Sequence, residues 1–151
     1  MLFVIIAGVV VAGYVAILIA MRFVPTPASV GLKEGRLSAC PGTPNCVSTR
    51  ESNAAFQIEP IPFGQDEAAV QAIIIDLLRQ EPRTEIVSNQ PGYVHAIARS
   101  PSFGFPDDVE FAISAGMIHF RSASRVGQGD LGVNRTRMER LRSAIVAKLT
   151  P

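Results

Sequence analysis

The residues with most chemical reach lie between His119 and Arg137, where Arg121, Arg125, Arg135 and Arg137 alternate with a run rich in glycine and serine. An arginine fork matches a phosphate or carboxylate. Free backbone N–H groups in a glycine-rich loop or at a helix N-terminus add further donors. The stretch therefore reads as a pocket for a small anion. Its expected contacts are Arg99, Arg121, Ser122, Ser124, Arg125, Asp130, Asn134 and Arg135, with Gly127 and Gly132 allowing the backbone close approach. No phosphate-loop or dinucleotide fingerprint accompanies it. The competing reading is that these arginines pair with Asp107, Asp108, Glu110 and Asp130 in a structural network. The two separate on Arg125→Ala, which should abolish ligand binding at an unchanged melting temperature in the first case and lower that temperature in the second.

A second chemistry would use a thiol. Cys40-Pro41-Gly42-Thr43-Pro44-Asn45-Cys46 bends the chain between two cysteines six positions apart, close enough for the roughly 5.5 Å between Cα atoms that a disulfide requires. A disulfide here would indicate an oxidising compartment; two reduced, partly buried thiols are the alternative. A metal site would need His95 and His119, whose spacing matches no zinc pattern, so neither metal nor cofactor is expected. A thiol-dependent or hydrolytic enzyme would draw on Cys46 or Ser122, with His95 or His119 as base and Asp108 orienting it. No nucleophile elbow supports that arrangement, and a non-enzymatic role is preferred.

These residues need a scaffold. Ala54 to Ile61 alternates as a short strand ended by prolines. Asp66 to Gln80 repeats apolar residues at helical spacing, with Pro82 as its stop. Thr84 to Ser88, Tyr93 to Arg99, Val109 to Ile113 and Met117 to Ser122 read as strands joined by turns. Asn134 is the expected N-cap of a last helix reaching Leu149. The order β-α-β-β-β-β-α gives an α+β domain, an antiparallel sheet of about five strands with two helices on one face. The other face would carry His95, Arg99, Glu110, His119 and Arg121.

What precedes the domain is different in kind. Leu2 to Met21 is uncharged and apolar, and all 27 charged residues lie beyond position 20. Twenty residues in a helix span roughly 30 Å, the thickness of a bilayer's hydrocarbon core. The chain's 48% hydrophobic content thus averages this run with a remainder of about 41%, ordinary for a soluble domain. The expectation is a single-pass transmembrane anchor at 1–21, a linker at 22–37 that spaces the domain off the membrane, and a globular domain at 38–151. A cleaved signal peptide is the rival, disfavoured by the long apolar core and the lack of a preceding basic residue. Arg22, Lys33 and Arg36 after the run favour a cytoplasmic domain, whereas the cysteine pair favours the periplasmic or outer side, which is preferred. Leu37-Ser38-Ala39-Cys40 matches a lipoprotein cleavage site but lies too far from the apolar run. A net charge of +1 leaves no electrostatic footprint for nucleic acid. Membrane, a small anionic ligand or a membrane-protein partner remain, the last including a structural assembly factor.

Five motifs occur in order: Cys40 to Thr49, Tyr93 to Ala96, Asp107 to Phe111, Arg121 to Gly127, and Asp130 to Arg135. Together they resemble domain-of-unknown-function family 1499 over residues 38 to 149. The resemblance implies the fold and, since members often carry an export signal or anchor, an outward-facing domain. It implies no catalytic residue.

Overall fold

In the computed structural model, which describes residues 1–150, the apolar run forms helix α1 (Leu2–Arg22). The domain expected over 38–151 therefore has its last residue, Pro151, outside the described residues. By length and composition α1 is long and apolar enough to cross a membrane, and none of Phe3–Arg22 is buried.

The sheet is built from β1 (Cys46–Ser48), β2 (Ile61–Pro62), β3 (Thr84–Gln90), β4 (Tyr93–Arg99), β5 (Pro106–Ser114) and β6 (Met117–Ser124), with helices α2 (Glu67–Gln80) and α3 (Val133–Leu149). The strand order is β1-β6-β5-β4-β3, with β2 also pairing β6, and every pairing is antiparallel. Asp66 starts α2 by accepting from the Ala68 and Ala69 backbone N–H groups, satisfying donors the helix cannot. One face of the sheet packs Val94, Ala96, Val109, Phe111, Ile118 and Phe120 against Val70, Ile74 and Leu78 of α2 and Met138, Leu141 and Ile145 of α3. The α+β architecture is as expected.

Two local expectations are corrected. Ala54 to Ile61 is mostly a turn: the Asn53 side chain accepts from the Ala55 N–H, and its carbonyl accepts from the Phe56 and Gln57 N–H groups. The strand positions are taken by β1 and the two-residue β2. The N-cap of α3 is Gly132, whose φ of 77° suits a residue without Cβ; Asp130, not Asn134, supplies the capping carboxylate, accepting from the Gly132 and Asn134 N–H groups.

The sheet face opposite the helices is not open. The segment that leaves α1 turns back across it as a strap. The Gly31 N–H donates to Glu110 Oε1 at 2.7 Å, Arg125 reaches the Val24 carbonyl at 2.9 Å, and Leu37 is buried beside Tyr93 and Ala112. These residues lie in the expected linker 22–37, and backbone groups of Val24 and Gly31 within it are tied to the sheet.

Candidate functional site

Strand alternation and register bring the polar residues of three strands under the strap. His95 pairs across with Glu110 and Glu110 with Arg121, while Ile97 lies opposite Asp108, so His95, Asp108, Glu110 and Arg121 share one face. Within this layer the charges are matched. Glu110, fully buried, accepts from the Tyr93 hydroxyl at 2.8 Å, the Gly31 N–H and Arg121 at 3.1 Å. Asp108, 1% exposed, accepts from Arg125 through Nε at 2.9 Å and Nη2 at 2.7 Å, and lies 2.7 Å from His95 Nε2.

The electrostatics follow from this geometry. Burial alone would push the Asp108 carboxyl up, but the His95 and Arg125 hydrogen bonds outweigh it and hold it below the usual carboxylate range. An ionised carboxylate only accepts, so His95 Nε2 carries the donated proton. Burial, then the Glu110 charge, pushes the Tyr93 phenol far up; it stays a donor. Arg121 Nε alone, of the buried side-chain polar atoms described, has no hydrogen-bond partner.

The expected anion contacts are thus divided among several places. Arg121 and Arg125 lie under the strap, each on its own carboxylate. Ser122, Ser124 and Asn134 lie on the helix side, where Asn134 bonds both serines and the Asn45 carbonyl. Asp130 caps α3, and Arg135 donates to the Ala55 and Gln57 carbonyls. Gly127 offers its carbonyl to Asn45, and at φ 83° its backbone, like that of Gly132, serves a turn. Arg137, outside the expected contacts, pairs with Asp107 at 2.8 Å.

Arg99 differs from the other strap-side arginines. Its Nη1 donates to the backbone carbonyls of Met21 at 3.0 Å and Gly104 at 3.3 Å, with no carboxylate of the described residues in ion-pair reach. Burial, then the neighbouring Arg22 and Arg125 charges, push its pKa down. Sequence reasoning missed two neighbours, Arg22 and Arg83, which line a cleft with Arg99 at the end of α1. Their convergence depends on how α1 docks, and no spacing encodes that.

The covalent readings meet plain geometry. Cys40 and Cys46 form a disulfide with Cα atoms 5.7 Å apart, so Cys46 offers no thiolate in this state. Ser122 Oγ bonds to Asn134 on the helix side, away from both histidines. His119 Nδ1 lies 3.1 Å from Thr49 Oγ1. Burial and the Arg50 charge push its pKa down.

A family model described as a protein of unknown function (DUF1499) matches residues 36–145. No curated protein matches the chain.

Proposed function

The chain belongs to the DUF1499 family, proteins of unknown function, so its role must be read from its own geometry, and we propose that it is a single-pass, membrane-tethered domain that works seated on the bilayer surface without covalent chemistry of its own. The observation that carries this reading is the attachment of α1 to the domain. Arg99 holds the Met21 carbonyl, Arg125 the Val24 carbonyl, and the Tyr14 hydroxyl donates to the Ser102 carbonyl. Tyr14 also packs edge-on against Phe103, ring centroids 5.9 Å apart. At 1.5 Å per residue Tyr14 lies about 12 Å along the helix from Arg22. A helix that spans the membrane therefore draws the loop 100–105 down into the interface.

The surface around that loop supports the seat. Phe103, Phe105, Val126, Leu131 and Val133 are all exposed and line one apolar cleft. Leu131 is fully exposed with φ at 56°, in the left-handed region, where a leucine is strained. Water offers nothing to offset that strain, whereas a bilayer interface accepts such side chains. The Cys40–Cys46 disulfide supports placing the domain on the oxidising, outer side.

The chain contains no tryptophan, so Leu131→Trp gives the full-length protein a single reporter. In phosphatidylcholine vesicles its emission should shift to the blue and be quenched by lipids brominated on the acyl chains. Emission typical of water, unquenched in a protein that floats with the vesicles, would remove the seat while leaving the anchor. Failure to float would remove both.

A further inference from the structure

Between the last turns of α1 and the start of the loop after β4 lies a cleft of about 450 Å³. Arg22, Arg83 and Arg99 line it together with Leu18, Pro101 and Gly104. The buried arginine side chains elsewhere in the fold, Arg121, Arg125 and Arg137, each meet a carboxylate. None of the three in the cleft meets one among the described residues. Arg99 is held by carbonyls, Arg83 Nε donates to the Arg99 carbonyl at 3.3 Å, and Glu85 is the one acid on the wall. Three positive charges facing one negative in a partly enclosed space repel one another. They attract an anion whose oxygens accept from several forks at once.

The walls select among anions. Leu18 and Arg22 belong to the apolar helix, and Leu18 faces Gly104 across the cleft wall, within reach of any Cβ placed there. A ligand held there has acyl chains free to run down α1 beside Phe103, and basic groups at that level favour anionic lipids. We infer that this cleft binds the phosphate of an anionic phospholipid headgroup from the leaflet around α1. The inference rests on the membrane-tethered reading above and adds to it a ligand class and three named contacts.

The test uses the full chain in nanodiscs of phosphatidylcholine with a minority of phosphatidylglycerol, released and weighed by native mass spectrometry. The expected result is one phosphatidylglycerol retained per wild-type chain. Arg83→Gln, at an exposed position, should lower that retention roughly tenfold or more, since a charge-assisted hydrogen bond is worth at least a decade of affinity. Arg142→Gln, an equal charge change away from the cleft, should leave it unaltered. Equal retention in Arg83→Gln and wild type, or equal loss in both variants, would overturn the site. A parallel arm adds inorganic phosphate to protein in pure phosphatidylcholine nanodiscs. Bound phosphate there, with no selective retention of phosphatidylglycerol, would assign the cleft to a free anion and overturn the lipid. Vesicle flotation of the same variants reports separately on the anchor.

Discussion

At the scale of single residues, the layer under the strap turns arginines that look like ligand contacts into internal counterions. The consequence is measurable. Removing one member of a buried ion pair strands the other, at a cost of about 3–5 kcal/mol. Arg125→Ala should therefore lower the melting temperature of the full-length protein by on the order of 10 °C. Arg135→Ala, which loses surface hydrogen bonds to two carbonyls and an exposed pair with Glu139 at 3.6 Å, should cost about 1 kcal/mol or less. Thermal melts of the two variants check this, and an unaltered melt for Arg125→Ala would return that residue to ligand duty. The pH dependence has a definite sign. Asp108 holds its proton less tightly folded than unfolded, so its contribution is complete above its unfolded value of about 4 and disappears as pH falls through the lower folded one. His119, pushed down by burial and Arg50, acts in the same direction. Below about pH 6.5 the unfolded chain takes up that proton first. Melting temperature should thus fall on acidification from pH 8 to 3. His119→Gln should flatten the fall that begins below about pH 6.5, and a melting temperature that rose on acidification would contradict both assignments.

At the scale of elements, the strap is the part whose behaviour was least evident and whose state is easiest to measure. The Gly31 amide is held by Glu110, while Glu34 and Gly35 form an exposed turn between the paired Lys33 and Arg36. Amide hydrogen exchange should show Gly31 protected and Glu34 and Gly35 exchanging freely; fast exchange at all three would detach the strap from the sheet. The elements that were legible in the sequence are those that carry a period. Tyr93 to Arg99 keeps Val94, Ala96 and Ala98 on one face and is a strand over those residues, and Val70, Ile74 and Leu78 lie one helical turn apart on the buried side of α2. β1 has three residues, too few for a pattern. The strap has no pattern because its backbone groups, rather than its side chains, make many of its bonds. The site divides in the same way. Strand alternation indicated that His95, Glu110 and Arg121 share a face. That Asn134 turns inward to Ser122 and Ser124 depends on where α3 meets the sheet, and Asp130 took the capping role that would have kept it outside.

At the scale of the whole molecule, the apolar helix α1, the strap and the sheet are joined by hydrogen bonds at Arg99, Arg125 and Glu110. The disulfide closes the turn that leads into β1, and the strap arrives from α1 on the face that the two packing helices leave free. The apolar loops, the arginine-lined cleft and the end of α1 consequently lie together at one end of the sheet, the end at which the protein would meet lipid. The near-neutral net charge of +1 conceals this division, since matched pairs fill the interior while Arg22, Arg83 and Arg99 gather at the end of α1.

Tyr14, Leu18 and Met21 are successive turns along one side of α1; Tyr14 bonds to Ser102, Met21 to Arg99, and Leu18 lines the cleft with Gly104. The helix therefore has a front and a back. Placed in a bilayer as proposed, it would turn about its axis only by carrying the domain with it.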